Sequence, residues 1–190
     1  VGLPAYWLQI FAAPSRGLVL MAVLKPDICV IGAGAGGLVV AGGGALMGAS
    51  VVLVERGAMG GDCLNYGCVP SKALLAAGEA ATFGDRAKPF GVNYNPPNVD
   101  FAKALERVRS VIDGIAPTDS VERFRGMGIE VMRASGKFTA RNELVAGDHV
   151  IRARRFVIAT GSSPMVPPIA GLDTVPYFTN ETIFDNRTCP

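Results

Sequence analysis

The sequence predicts an α/β fold: a central parallel sheet with helices, accompanied by a small antiparallel β-meander. Two runs of β-branched residues, 27–31 and 50–55, are separated by a glycine-rich turn and an apolar segment of helical length. A third apolar run, 155–159, follows short alternating segments at 129–153 that indicate the meander. A strand, a helix and a strand within about 30 residues form a βαβ unit, so the buried strands are expected to be parallel.

The segments between these strands are expected to be helical or extended. A helix is expected over 38–47, where each of the glycines at 42–44 costs about 1 kcal/mol relative to alanine, so close packing or a ligand must compensate. We expect a second helix over 71–83, a surface connection over 84–98 and an extended segment over 163–190. Asp100 is the expected N-cap of a third helix with apolar residues at helical spacing, which breaks at Pro117 and resumes to Arg125.

Composition and charge exclude several classes of protein. Hydrophobic residues make up 49% of the chain and charged residues 18%, which excludes a disordered polymer. The net charge is +2 and no basic stripe with interleaved aromatic residues occurs, so no nucleic-acid partner is expected. The alternating arginines 152, 154 and 155 are expected to form a solvated strand face. Residues 1–13 are apolar but shorter than the ~20 residues that span a bilayer, so we expect a cytoplasmic protein and no membrane contact by this segment.

The four cysteines are too few for a disulfide-stapled secreted scaffold. Cys29 lies in an apolar run and is expected to be a small buried core residue, whereas the pattern assigns nothing to Cys189. Cys63 and Cys68 form a close pair, which in a cytosolic protein is more often catalytic or metal-binding than structural. The single histidine, His149, falls in the meander and is expected to be a turn or strand residue rather than an acid–base catalyst.

The glycine-rich turn matches the dinucleotide-binding fingerprint of Rossmann-like folds. Gly32 permits the tight turn, Gly34 lets backbone approach a pyrophosphate, and Gly37 allows close packing of helix on strand. Ala35 and Gly36 lie between them, at the start of the helix, where free N–H groups attract phosphates. Glu55 ends the next strand, where a carboxylate accepts hydrogen bonds from ribose hydroxyls. The fingerprint alone does not separate FAD from NAD.

The spacing of Cys63 and Cys68 requires a distorted backbone if the two are to form a disulfide. On a regular helix, side chains five residues apart point in different directions, whereas a disulfide needs Cα atoms about 4.4–6.8 Å apart. Gly67 and Pro70 permit such a distortion. The segment also opens a helix, where the positive end favours a thiolate. A zinc half-site and two inert buried thiols are the alternatives, and we expect no metal site.

Residues 60–72, Gly-Gly-Asp-Cys-Leu-Asn-Tyr-Gly-Cys-Val-Pro-Ser-Lys, resemble the redox signature of the class I flavoprotein disulfide reductases. That family includes dihydrolipoamide dehydrogenase, glutathione reductase and mercuric reductase. The resemblance implies an FAD cofactor, an outer interchange thiol at Cys63 and a thiol against the flavin at Cys68. Lys72 then resembles the lysine near the flavin N5 atom. Asp62 stands where relatives often carry threonine, a form similar to mercuric-reductase-like members.

Further cofactor contacts follow from the same resemblance. The strand end at 159–162 resembles the family's second flavin-contact motif, and the segment around Gly136 resembles the one that places backbone against adenine, although alanine is common at that position. The expected cofactor-binding residues are therefore Gly32, Gly34, Ala35, Gly36, Gly37, Glu55, Arg56, Gly61, Asp62, Lys72, Gly136, Ala159, Thr160, Gly161 and Ser162, and the expected catalytic residues are Cys63, Cys68 and Lys72.

The expected function is that of an FAD-dependent NAD(P)H:disulfide, or mercuric-ion, oxidoreductase, of which this chain holds the front portion. We expect an unassigned apolar leader or upstream segment at 1–21, an FAD-binding domain at 22–165, and an extended connection at 166–190 toward an NAD(P)-binding domain. By resemblance, NAD(P)H, the catalytic His–Glu pair and the homodimer contacts belong to downstream parts. The alternatives are a stand-alone FAD-binding redox module without turnover and a thiol-based binder of soft metals.

Overall fold

The computed structural model describes residues 7–11 and 19–189. They fall into two compact units: the described residues up to Gly61 together with Thr118–Gly161, and Asp62–Pro117 together with the described residues from Ser162. The strands are β1 (Trp7–Phe11), β2 (Val19–Leu24), β3 (Ile28–Ile31), β4 (Val51–Glu55), β5 (Glu130–Arg133), β6 (Gly136–Ala140), β7 (Glu143–Ala146), β8 (His149–Ile151) and β9 (Arg155–Ile158). The α-helices are α1 (Ala35–Leu46), α2 (Gly61–Asn65), α3 (Cys68–Ala81), α4 (Phe83–Ala87), α5 (Phe101–Ile115) and α6 (Val121–Gly126).

A parallel sheet of four strands, in the order β5-β4-β3-β9, forms the centre of the first unit. This confirms the predicted parallel strands at 27–31, 50–55 and 155–159. Side chains of α1 and α6 cover one face, where Leu38 and Phe124 pack with Val30, Leu53 and other apolar residues. Strands buried on both faces read as continuous apolar runs, which applies to β3 and β4. The prediction that the strand at 155–159 is buried was wrong, because β9 is half-buried at its centre and exposed at Arg155 and Ile158.

The second sheet covers the other face of the parallel sheet. Its order is β1-β2-β8-β7-β6, and β6, β7 and β8 are antiparallel neighbours, as the predicted meander requires. Leu144 and Ile151 from this sheet pack against Cys29, Val52 and Val54. The prediction that the meander begins at residue 129 was wrong, because β5 pairs in parallel with β4. Both central residues of β5 are buried, as in a strand covered on its two faces.

The second unit is helical where it has regular structure. The helix predicted at 71–83 begins earlier, at Cys68, and ends at Ala81. The expected connection at 84–98 contains α4, which begins at Phe83, and a 3₁₀ turn at Lys88–Phe90. The Asp100 cap is confirmed, since its carboxylate accepts a hydrogen bond from the backbone N–H of Lys103 at 3.1 Å. α5 packs against α3, and the described residues after 162 contain two 3₁₀ turns and no α-helix or strand.

Three polar predictions in the first unit have mixed outcomes. His149 begins β8, as expected for a strand residue. Arg154 and Arg155 are exposed, as predicted. Arg152 is not part of a solvated face, because it is half-buried and its Nε donates to Glu143 Oε2 at 2.8 Å. Glu143 on the neighbouring strand β7 accounts for the half-buried position of Arg152, and the local sequence pattern did not reveal this pairing.

Candidate functional site: a glycine turn and a cysteine pair

The glycine turn lies at the carboxyl edge of the parallel sheet, between β3 and α1. Gly32 has φ +103°, and a Cβ atom there would lie 2.2 Å from the carbonyl oxygen of Ala159. A Cβ atom at Gly37 would lie 1.8 Å from the carbonyl oxygen of Gly32. Both distances are shorter than any real Cβ contact, so each position requires glycine. The turn therefore brings Gly32, Gly37 and the predicted motif at Ala159 together at one sheet edge.

The N-terminus of α1 is open toward solvent. Gly34 is its N-cap in extended conformation, no side chain caps the helix, and its first turn carries no acidic residue. Gly36 is exposed, and nothing lies within 4 Å of the position that its Cβ would take. Uncapped N–H groups at the positive end of a helix bind phosphates well. The residues present thus fit the pyrophosphate of a dinucleotide.

The carboxylate of Glu55 is fixed by two backbone amides. Ala33 donates its N–H to Oε2 and Gly57 donates its N–H to Oε1, both at 2.5 Å. Glu55, which is predicted to bind ribose, therefore also holds the glycine turn against the end of β4. An ionised carboxylate offers about four acceptor sites, so two amide donors leave capacity for the hydroxyl groups of a ribose.

Gly61 packs directly on the glycine turn. Gly34 forms a parallel bridge with Gly60, and a Cβ atom on Gly61, whose φ is +58°, would lie 2.6 Å from the Cα of Gly34. Gly61 is also the first residue of α2, which carries Cys63. Its close approach to Gly34 explains why the sequence has glycine at this position.

Cys63 lies on the short helix α2 and Cys68 lies on α3, and residues 66–67 separate the two helices. Cys68 is the first residue of α3 and Gly67 is its N-cap, so the pair opens a helix as predicted. Interaction with the Cys68 thiol raises the pKa of Cys63, with a smaller contribution from burial. The positive charge of Lys72 acts in the opposite direction. Cys68 is exposed and Cys63 half-buried, which leaves the pair open to reagents.

A cavity of about 630 Å³ adjoins the pair within the second unit, between α3 and α5. Cys68 and Lys72 line it from α3, together with small apolar side chains. Arg107, Val111 and Ile115 line it from α5. Sequence reasoning missed Arg107, although its four-residue spacing to Val111 and then to Ile115 places the three on one helix face.

The remaining residues that were singled out in the sequence lie on several separate elements. Asp62 accepts a hydrogen bond from Asn180, which sequence reasoning also missed. Gly136 begins β6 and packs against Leu144. Gly161 has φ +66° at the end of the strand motif, and its chain neighbours Thr160 and Ser162 are exposed. Arg56, which follows β4, is exposed as well. Cys29 is fully buried, which raises its pKa to about 12 and confirms its expected place in the core.

Comparison with known proteins identifies the family. The sequence pattern of one family, described as pyridine nucleotide-disulphide oxidoreductase, matches residues 26–190. The chain belongs to this family.

Relatives of this family member include proteins with two names. It is 33% identical to a mercuric reductase of Bacillus cereus over 86% of this chain and 26% of the relative, and 35% identical to one of Streptomyces lividans over 86% and 36%. A dihydrolipoyl dehydrogenase of Halobacterium salinarum is 34% identical over 85% of this chain and 34% of the relative. The chain therefore spans about a quarter to a third of the length of these relatives.

The fold of the family member is also found in a solved structure. The HOCl-induced flavoprotein disulfide reductase RclA from Escherichia coli, solved as a Cu(II) complex, superposes with a TM-score of 0.69 at 24% identity, over 84% of this chain and 34% of that one. This likeness shows the Rossmann-like fold. Within residues 7–11 and 19–189, no helix is long and apolar enough to cross a membrane, and no three His, Cys, Asp or Glu side chains are grouped as metal ligands.

Proposed function

We propose that this chain is the FAD-binding front portion of an NAD(P)H-dependent oxidoreductase in which Cys63 and Cys68 are the redox-active pair. The observation that carries the proposal is the interaction of the two thiols, which raises the pKa of Cys63, on two helices within the residues that match the family. A reduced pair in contact needs little backbone movement to form a disulfide. The parts of the protein that bind NAD(P)H, and its assembly as a homodimer in the cytoplasm, belong to the same proposal.

The glycine turn is proposed to hold the nucleotide part of FAD. The backbone at Gly34, Ala35 and Gly36 would bind the pyrophosphate, and Glu55 would accept from ribose. When bound, FAD supplies two-electron exchange between a pyridine nucleotide and a dithiol. The other proposed contacts are Gly32, Gly37, Arg56, Gly61, Asp62, Lys72, Gly136, Ala159, Thr160, Gly161 and Ser162.

The thiols are proposed to act in sequence on a disulfide substrate. The Cys63 thiolate attacks the substrate disulfide, forms a mixed disulfide and releases one substrate thiolate. The Cys68 thiolate then attacks the Cys63 sulfur, which closes the Cys63–Cys68 disulfide and releases the second substrate thiol. Because its contact with Cys68 raises the pKa of Cys63, the first step requires a base, which family resemblance assigns to a histidine outside this chain.

The substrate is proposed to be either a disulfide or the mercuric ion. Relatives named mercuric reductase and dihydrolipoyl dehydrogenase match this chain at similar identity. Two adjacent, accessible thiols suit both substrates: they can exchange with a disulfide, and a soft metal ion such as the mercuric ion prefers thiolate ligands. A thiol pair that binds mercuric ion without FAD would be the second candidate, and it predicts stoichiometric metal binding by a colourless protein.

FAD loading and thiol substitution test the proposal together. The purified chain should bind FAD, and mild reduction should produce a long-wavelength absorption band from a thiolate beside the flavin. Cys63→Ser should keep this band and Cys68→Ser should abolish it, whereas Cys189→Ser serves as the matched control. A folded chain that takes up no FAD would refute the cofactor assignment. A band that survives Cys68→Ser would refute the assigned order of the thiols.

A further inference from the structure

Asp62, immediately before Cys63, is joined to a residue 118 positions later in the chain. The side-chain amide of Asn180 donates from Nδ2 to Asp62 Oδ1 at 2.8 Å. We propose that this Asp62–Asn180 clasp is a positioning device that stabilises the Cys63–Cys68 disulfide relative to the dithiol. The inference rests on the proposed function of the two cysteines as a redox pair, and it adds a determinant outside the cysteine motif.

Asp62 is next to Cys63 in the chain, and its side chain lies beside Gly67, the residue before Cys68. Asp62 precedes Cys63, and its carbonyl oxygen accepts from the N–H of Tyr66 at 2.8 Å. Its Oδ2 lies against Gly67, where a Cβ atom would be 2.7 Å away. Gly67 precedes Cys68 and is the N-cap of α3. A change in the position of the Asp62 side chain should therefore change the bend at Gly67, between the two cysteines.

Asn180 is presented from a locally fixed turn. The N–H of Thr179 donates to Thr182 Oγ1 at 2.9 Å, and the N–H of Thr182 donates to the carbonyl of Thr179 at 3.1 Å. A few residues later, Asp185 lies 3.7 Å from Arg109 of α5, and α5 packs against α3. The turn is thus attached at the start of α2, through Asp62, and at the helix that supports α3.

The clasp should act on the equilibrium between dithiol and disulfide. That equilibrium measures the effective concentration of one thiol at the other, which rises when the connecting backbone is restrained. Without the clasp, Asp62 and the bend at Gly67 gain freedom in the dithiol, and closing the disulfide costs more conformational entropy. Removing it should lower the equilibrium constant for disulfide formation about threefold to tenfold, which is about 15 to 30 mV toward a more oxidising potential.

Redox titration in glutathione buffers measures this constant directly. Each oxidation consumes the two thiols and one glutathione disulfide and yields one protein disulfide and two glutathione molecules, and alkylation with peptide mapping quantifies Cys63 and Cys68. We expect the shift in Asn180→Ala and no shift in Asn95→Ala, an exposed asparagine of the same unit. The exchange variant Asp62→Asn/Asn180→Asp keeps one carboxylate and one amide, and should regain at least half of the lost stability of the disulfide.

The outcomes separate the clasp from the proposed function. A wild-type chain that forms no Cys63–Cys68 disulfide at any glutathione ratio would overturn the proposed redox pair. A wild-type disulfide whose equilibrium constant is the same in Asn180→Ala would overturn the clasp alone. An exchange variant that is folded by circular dichroism, yet as shifted as Asn180→Ala, would also overturn it, because the restored hydrogen bond should act as the original does.

Discussion

Glu55 stabilises the fold at a position where we also propose that it binds a ligand. Its carboxylate accepts the N–H groups of Ala33 and Gly57, and so ties the glycine turn to the end of β4. Hydrogen bonds to a charged acceptor are about twice as strong as neutral ones. The turn is therefore held in shape by the same residue that is proposed to bind ribose, and binding needs little rearrangement of the protein.

Replacing Glu55 with glutamine should destabilise the protein. The glutamine oxygen can accept one of the two amides, but its NH₂ group would face the other N–H donor, so one hydrogen bond to a charged group is lost and two donors oppose each other. We expect a loss of about 1.5 to 3 kcal/mol in the free energy of unfolding, measured by urea denaturation. Glu130→Gln on β5 is the control, since Glu130 is exposed. Equal stability of the two variants would contradict the bracing role.

The contacts of Asp27 predict that part of the free energy of unfolding is lost in acid. Its carboxylate accepts from the hydroxyl and the N–H of Ser50, and from Arg154 at 2.9 Å. These contacts, led by the Ser50 hydroxyl, lower the pKa of Asp27 from 3.8 to about 2. Because the folded pKa is the lower one, the contribution is present above about pH 4 and is lost as the pH falls toward 2.

The measurement compares wild type with Asp27→Asn. Urea midpoints of the wild type should fall more steeply between pH 4.5 and pH 2.5 than those of the variant, and the two slopes should agree between pH 6 and pH 8. Asp148→Asn, at an exposed turn position, should keep the wild-type slope. A variant slope equal to that of the wild type in acid would show that Asp27 does not titrate with folding.

Single residues were predictable where the local pattern fixes their environment. The buried position of Cys29 follows from its apolar neighbours, and the cap at Asp100 follows from the helix after it. The partner of Asp62 could not be predicted, because Asn180 is 118 residues away and no local pattern joins them. Arg152 was misread for a similar reason, since Glu143 reaches it only through the pairing of β7 with β8.

At the scale of elements, the glycines of α1 differ in what surrounds them. The sequence predicts that close packing or a ligand compensates for the three glycines at 42–44. A Cβ atom at Gly44 would lie 3.2 Å from Ile28 Cδ1 and 3.3 Å from Val51 Cγ2, whereas nothing lies within 4 Å of one at Gly43. The helix therefore needs glycine at 44 to approach the sheet, and packing gives no reason for glycine at 43.

Alanine substitutions at these two positions should have opposite effects. Gly43→Ala should stabilise the protein by about 0.5 to 1 kcal/mol, since alanine is the better helix former and meets no neighbour. Gly44→Ala should gain nothing or lose stability, because Ile28 and Val51 must move by a few tenths of an ångström. Urea unfolding of the two variants is the measurement. A larger gain in stability from Gly44→Ala than from Gly43→Ala would show that helix propensity, rather than packing of α1 on the sheet, determines the effect of these substitutions.

Helices and strands could be predicted where the hydrophobic period of the sequence is clear, whereas the pairing of the strands could not. The strands at 28–31 and 51–55 and the capped α5 follow from apolar runs and helical spacing. β5 was assigned to the meander because a four-residue segment carries no signal for its partner, and its parallel pairing with β4 depends on residues about 80 positions earlier. α4 was missed because Gly84 and Pro89 dominate the composition around it.

At the scale of the whole molecule, the family assignment depends on motifs that lie far apart in the sequence. The fingerprint begins at Gly32, the cysteine motif at Gly60 and the strand motif at Ala159. The parallel sheet places the first and third at one edge, because Gly32 and Ala159 follow the paired strands β3 and β9. The spacing of residues in the sequence predicts each motif by itself. The contact between Gly32 and Ala159, in contrast, requires the strand order β4-β3-β9, which is a property of the folded sheet.

FAD binding should therefore stabilise the folded chain through the open end of α1. FAD at 100 times its dissociation constant should raise the free energy of unfolding by about 2.7 kcal/mol, as for any ligand that binds only the folded state. Gly36→Leu should keep the stability of the FAD-free protein, since the site is open, but should lose the FAD-dependent increase because the side chain fills the proposed phosphate position.

Gly43→Leu is the matched control for this experiment, because Gly43 lies on the same helix and nothing lies within 4 Å of the position that its Cβ would take. It should retain the full FAD-dependent increase, so that a loss confined to Gly36→Leu locates the ligand at the first turn of α1 rather than along the helix. Thermal unfolding with and without FAD gives the readout for all three proteins. If Gly36→Leu responds to FAD as the wild type does, the pyrophosphate does not lie at the N-terminus of α1, and the glycine fingerprint has a structural role only.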